Sequence, residues 1–142
     1  GECLNYRTGP LHTLRTMRRL FRRVYAALRP GGIFLFDFAE PGQTGAGDLG
    51  RTHLYGDGWV ILLEHEEDGR RKTLTRYVTC FRRQGELYRR TDEVHHLRLY
   101  RRQELARLLL ETGFRVRRLT GYGRLRMPPG HCILLARKPD AR

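Results

Sequence analysis

The chain has 142 residues, with 28 Lys or Arg against 15 Asp or Glu, for a net charge of +13. That length suits one ordinary domain with a modest core and excludes a multi-domain machine. The charge alone suggests an anionic partner, but 26 of the 28 basic residues are Arg, a bias that coding composition explains as well as function does.

The charge is unevenly spread. Residues 1–30 carry +6, residues 31–69 carry −7 and residues 70–142 carry +14. No single-sign run marks a disordered basic arm. Cys3, Cys80 and Cys132 are scattered without a C-x-x-C pair, which argues against a disulfide framework or a structural zinc site and fits a reducing cytoplasm. No apolar run approaches the ~20 residues needed to span a membrane. The start lacks the pattern of a signal peptide, and it is Gly1 rather than Met.

Leu11, Leu14, Met17, Phe21, Val24 and Leu28 recur at helical spacing, with Arg15, Arg18, Arg19, Arg22 and Arg23 between them. The spacing predicts an amphipathic helix over 11–28, stopped by Pro30-Gly31-Gly32. Residues 33–38 (IFLFDF) form an unbroken apolar run that reads as a strand buried on both faces, of the parallel-sheet kind. Its lone polar residue, Asp37, lies near the C-terminal end, where open α/β sheets bind ligands. Residues 41–50 read as a Gly-rich loop. Three strand patterns follow as an antiparallel meander: Trp59–Glu66, Lys72–Arg83 and Leu87–Tyr100, with turns at Asp68-Gly69 and Gln84-Gly85. Arg101–Thr112 returns to helical spacing and ends at Gly113. Phe114–Leu119 and His131–Arg137 read as strands around a loop at 121–130, forming an antiparallel hairpin at one sheet edge. The order indicates an α/β fold.

Some motifs lose to plainer readings. Gly45–Gly50 matches G-x-G-x-x-G, but six residues separate it from the strand and a strand pattern follows, so it reads as a loop. His95 and His96 are neighbours on a strand and point to opposite faces, so they cannot share a metal. No metal site is expected. The Arg stripe on the first helix lacks the aromatic interleaving of a stacking platform, which leaves nucleic-acid binding as the less favoured reading.

Several stretches in order resemble the C-terminal half of a class I S-adenosylmethionine-dependent methyltransferase. They are Gly-Glu-Cys-Leu-Asn-Tyr at 1–6, Leu28-Arg-Pro-Gly-Gly32 leading into Phe34-Leu-Phe-Asp37, the segment Tyr88–Tyr100, and Leu109-Leu-Glu-Thr-Gly-Phe114. The resemblance covers nearly the whole chain. It implies a Rossmann-like, mostly parallel seven-stranded sheet whose last strand is antiparallel. Residues 33–38, 114–119 and 131–137 would be strands five, six and seven. The domain would be a single partial one: 1–50 and 101–142 as the sheet-and-helix core, and 51–100 as a β-meander insertion covering the acceptor side. The Gly-rich cofactor loop and the ribose-binding acid of the first two strands have no counterpart here, so the chain is expected to be a fragment that is inactive alone.

The implied activity is methyl transfer from S-adenosylmethionine to an acceptor, a small molecule being favoured. By the resemblance, Gly1, Glu2 and Cys3 lie beside the cofactor, and Asn5 and Tyr6 lie at the acceptor entrance. Asp37 is the best polar acceptor contact inside the fold. His96, Arg98 and Tyr100 alternate on one strand face and would form a polar wall. Arg124 and Arg126 would add positive charge. No residue is singled out as catalytic. The rival expectation is a basic nucleic-acid-binding module without catalysis. The unpaired edge of strand five favours homo-oligomerisation.

Overall fold

The computed structural model describes residues 2–6, 13–44 and 49–141. The chain divides into two compact units, Gly1–Pro41 with Leu99–Arg142, and Gly42–Arg98.

The first unit is a layer of two helices on a three-stranded sheet. Helix α1 spans Leu14–Ala27, within the 11–28 expected; Leu11 lies outside the described residues. Thr13 precedes it, and the Thr13 N–H bonds the Thr16 hydroxyl at 3.4 Å. The helix stops at Leu28, which is extended and so cannot continue it. The left-handed residue comes later than expected, at Gly31, with φ +76° in the turn rather than at the cap. The orphaned carbonyls at this end are met by a side chain from the other end of the chain. The Lys138 ammonium donates to the Tyr25 and Leu28 carbonyls at 2.8 and 2.7 Å, and it sits 4.6 Å from the Tyr25 ring centroid.

Strand β1 runs Ile33–Ala39. Helix α2 spans Arg102–Thr112 and ends at Gly113 in the left-handed conformation, φ +107°. Strand β6 spans Arg115–Leu119 and strand β9 spans His131–Arg137. The order in the sheet is β1-β9-β6, with β9 antiparallel to both neighbours, so β1 and β6 run the same way. The hairpin expected from sequence does form, but β9 enters between β1 and β6 rather than extending the sheet. The loop between β6 and β9 also holds a two-stranded ribbon, β7 (Gly121–Tyr122) and β8 (Leu125–Arg126).

Alternation along β1 decides where the core lies. Phe34, Phe36 and Phe38 share one face with Cys132, Leu134 and Ala136 of β9, and Met17, Phe21, Leu105, Leu108 and Leu109 of the helices pack onto it. Phe21 sits among the strand aromatics, 6.2 Å from Phe34 and 5.8 Å from Phe36 between ring centroids. Tyr25 meets Phe114 edge-to-face at 4.9 Å. The expectation that β1 is buried on both faces is not met. Ile33 is 55% and Leu35 43% exposed, because both described helices pack on the phenylalanine side. β9 is the only strand laddered to β1 among the described residues.

The second unit is a four-stranded antiparallel meander in the order β2-β3-β4-β5: Leu49–Gly56, Trp59–Asp68, Thr73–Gln84 and Leu87–Arg98. Sequence spacing anticipates three of these strands. The fourth, β2, is polar, exposed along nearly its whole length and carries Gly50 and Gly56, so its pattern is faint. The hairpin after β3 is closed by the Asp68 carboxylate, which accepts the Arg70 and Arg71 N–H groups at 3.0 and 2.9 Å. The third expected strand, drawn to Tyr100, ends two residues earlier at Arg98. Leu99 and Tyr100 belong to the first unit, where the Tyr100 N–H reaches the Ala39 carbonyl at 3.4 Å.

Phe21 is fully buried, so Phe21→Ala should cost about 3–5 kcal/mol of unfolding free energy. Leu125→Ala, at a position 65% exposed, should change it by no more than about 0.5 kcal/mol. Urea titrations of the two variants beside the wild type check both.

Candidate functional site

The polar residues of the first unit gather at the C-terminal end of β1. Asp37 lies on the face opposite Phe36 and Phe38, so its carboxylate is outside the aromatic core. Its Oδ2 accepts the Glu2 N–H at 3.2 Å. Its Oδ1 accepts the Tyr122 hydroxyl at 3.1 Å. Burial first, then the neighbouring Asp37 charge and hydrogen bond, push the Tyr122 phenol up to about 12. Tyr122 therefore stays a neutral donor at ordinary pH, and Asp37 keeps the role of acceptor.

Glu2 is one of two non-glycine residues with positive φ among the described residues, at +54°. A conformation of this kind costs on the order of 1–3 kcal/mol and persists where surrounding contacts over-determine it. Here both ends of the residue are engaged. Its N–H bonds Asp37, and its Oε1 lies 2.5 Å from His131 Nε2. The other ring nitrogen, Nδ1, lies 3.2 Å from the Pro129 carbonyl. Both ring nitrogens are thus engaged, which fixes the orientation of the imidazole.

Asn5 is completely buried. Its amide bonds the Ala39 backbone twice: Nδ2–H donates to the carbonyl at 3.0 Å and Oδ1 accepts the N–H at 2.9 Å. Asn5 thus pins the segment 2–6 onto the strand end. One residue on, the Glu40 N–H bonds the Gly130 carbonyl at 2.8 Å, and the Glu40 carboxylate accepts the Arg102 N–H at 2.9 Å. A carboxylate at the first turn of α2 also meets the positive end of the helix dipole.

The expected site residues are thus distributed as follows. Glu2, Asn5 and Asp37 come together at the end of β1. Cys3 is exposed beside them in the 3–5 turn, and Tyr6 with Cys3 lines a hollow of about 440 Å³ against Met17, Arg19 and Leu20 of α1. Gly1 lies outside the described residues. Arg126, on β8, is exposed and bonds the Thr120 hydroxyl at 3.1 Å; Arg124 is in the turn before it. His96, Arg98 and Tyr100 do not share one strand face. His96 and Arg98 close β5 in the second unit, whereas Tyr100 has left the ladder and is buried in the first. His95 and His96 do face opposite ways. His95 is in register with Arg76 and bonds Glu93 at 2.8 Å, while His96 is in register with Thr75.

Sequence reasoning missed Tyr122, His131 and Glu40. The first two lie 85 and 129 positions from their partners. The one local signal was a polar residue opening an otherwise apolar strand at His131. Cys132 is buried, and burial raises its thiol above the usual range, so it is a core residue and not a nucleophile. Of residues 45–50, the first four lie outside the described residues, and Leu49 and Gly50 already belong to a strand, not a helix. No cluster of three metal-ligating side chains occurs among the described residues. No described helix is long and apolar enough to cross a membrane.

No family model matches the sequence, and no curated protein matches it. Solved structures do. An S-adenosylmethionine-dependent methyltransferase from Clostridium acetobutylicum matches 97% of the chain with a TM-score of 0.75 at 19% identity. A sugar N-methyltransferase from Streptoalloteichus matches 99%, with a TM-score of 0.68 at 15% identity. DesVI from Streptomyces venezuelae matches 98%, with a TM-score of 0.70 at 18% identity. The chain spans 55%, 54% and 63% of those chains. The fold is therefore the Rossmann-like α/β fold of methyltransferase domains, in its C-terminal portion.

Two measurements check this geometry. Difference absorbance between the wild type and Tyr122→Phe should show a phenol ionising near 12. Any stability this raised value confers is complete below pH ~10 and is lost as pH rises from there through 12. Asn5→Ala orphans the buried Ala39 N–H and should cost about 1–3 kcal/mol by chemical denaturation.

Proposed function

We propose that this chain is the C-terminal portion of an S-adenosylmethionine-dependent methyltransferase acting on a small-molecule acceptor. The observation that carries this reading is the strand order β1-β9-β6 with β9 antiparallel, matched to solved methyltransferases over nearly all of the chain. One of the similar structures, an amino pentose methyltransferase from Micromonospora echinaspora, is bound to S-adenosylmethionine, and this chain covers 52% of it at a TM-score of 0.67 and 17% identity.

The residues present fit one edge of such a cofactor. The 3–5 turn, with exposed Cys3, offers backbone groups. The Glu2 carboxylate is engaged by His131. In this reading the Gly-rich loop and the ribose-binding acid belong to the other half of the fold, consistent with the chain's 55% share of the Clostridium structure. The cofactor supplies an activated methyl group on a sulfonium. The chain's own part is then to position the acceptor and manage its proton. Asp37, held by two donors and partly buried, is the polar group for a hydroxyl or amine of the acceptor. Its carboxylate can orient that group or take its proton as the new bond forms. Tyr122 keeps the carboxylate aimed.

Calorimetry of the chain with S-adenosylmethionine should show weak or undetectable binding; a sub-micromolar Kd would overturn the division of the site between two halves. In a polypeptide that also carries the first half of the fold, Asp37→Asn should lower kcat/KM by about tenfold or more, the low end for general acid–base groups. Anisotropy titrations with single- and double-stranded oligonucleotides should show no tight complex. Binding that falls steeply with salt would favour the basic nucleic-acid module instead.

A further inference from the structure

Glu2 is an unusual residue for its backbone. A left-handed conformation is open to glycine without steric cost and is uncommon for a residue with a Cβ, yet φ +54° falls here on a glutamate. Strain of this sort points to a task for the side chain, since a glycine would relieve it at once.

Each hydrogen-bonding group of Glu2 has a separate use. The N–H donates to Asp37 Oδ2 at 3.2 Å. The carbonyl accepts the Asn5 N–H at 2.8 Å, which closes the turn over residues 2–5. The carboxylate lies 2.5 Å from His131 Nε2, and the two side chains are only 13% and 16% exposed. The other end of the turn is fixed by the Asn5 amide on the Ala39 backbone. Ala39 and His131 face each other in register as the last rung of the β1–β9 ladder. The turn is therefore bolted at both ends to one rung, by Asn5 to β1 and by Glu2 to β9. Between the bolts, Leu4 packs on the core and Cys3 stands exposed.

The two attachments differ in task. Asn5 fixes where the turn sits. Glu2 fixes which way its first peptide faces. Rotating Glu2 to an ordinary negative φ changes the angle between its N–H and its carbonyl, so one of the bonds to Asp37 and Asn5 must give.

We propose that His131 is a positioning residue that acts through Glu2: the pair holds the left-handed backbone that presents the 3–5 turn to the cofactor. This rests on the methyltransferase reading above, which puts that turn beside S-adenosylmethionine, and it deepens that reading by giving a residue of β9 a task on the cofactor side.

Glycine at position 2 tests it. If the carboxylate serves to hold the backbone, Glu2→Gly, which adopts φ +54° unaided, keeps the turn, whereas Glu2→Ala loses it. In the chain itself, amide hydrogen exchange at Asn5 reads the bond that closes the turn. Exchange there should quicken about tenfold in Glu2→Ala and in His131→Ala, the size of a left-handed penalty. In Glu2→Gly it should stay within about threefold of the wild type. The double variant His131→Ala with Glu2→Gly should match Glu2→Gly alone; a histidine that merely packs would add its own loss. The Leu134 amide, on a strand held from both sides, is the internal standard against general unfolding. In the polypeptide that also carries the first half of the fold, His131→Ala should raise KM for S-adenosylmethionine about tenfold, with a smaller change in kcat, and adding Glu2→Gly should restore KM. Equal loss of protection in Glu2→Gly and Glu2→Ala would overturn the proposal, as would unchanged Asn5 exchange in His131→Ala. So would the expected exchange pattern with the cofactor KM unmoved. A wild-type polypeptide that transfers no methyl group would overturn the reading of the function instead, and the exchange pattern would still decide whether His131 holds the turn.

Discussion

The first unit depends on what three residues at and just past the end of β1 hold together. Asp37 takes a backbone N–H from Glu2 and a phenol from Tyr122. Ala39 receives the Asn5 amide and the Tyr100 N–H, and lies in register with His131. Glu40 binds Gly130 through its N–H and the start of α2 through its carboxylate. Segments far apart in sequence thus end on one strand terminus. The buried Asn5 amide is bonded at both its oxygen and its nitrogen there, and networks of this kind hold one geometry. The aromatic layer on the other side of the strand gives affinity, and the polar end gives direction.

Alternation in β1 separates those two tasks. The phenylalanines face the helices while Asp37 faces away from them. Substitution on the polar side therefore leaves the core packing alone, and core repacking leaves the carboxylate in place. The strained Glu2 fits the same scheme. A left-handed glutamate survives because one neighbour takes its N–H and another its carboxylate.

Much of this was legible in the residues. The run IFLFDF announced β1, and its single polar member marked the site, because a charged residue inside an otherwise apolar strand needs a reason. The helical stripes gave α1 and α2, and His131–Arg137 is a strand over the range its apolar run predicts. The resemblance carried by the Pro-Gly-Gly turn and the Gly-Phe pair agrees with the fold found. What stayed hidden was long-range or weakly patterned. Nothing near Tyr122 or His131 names its partner. The strand β2 is half polar and exposed, so period-two alternation does not show in it. The resemblance implies Asn5 at the acceptor entrance; its burial against a strand backbone is a tertiary fact that no local pattern carries. The end of β5 at Arg98 was misplaced because Tyr100 continues the alternation after the ladder has stopped.

The Lys138 cap has a consequence of its own. A chain with 26 arginines has only two lysines, and one of them spends its donors on the last carbonyls of α1. A planar guanidinium suits a flat carboxylate; a compact ammonium better serves two carbonyls and a ring face at once. An amine so committed is a poor nucleophile toward acylating reagents while helix and strand are docked. It becomes an ordinary one when they part. The reactivity of this single side chain therefore reports the docking of the chain's last strand on its first helix, without any added label.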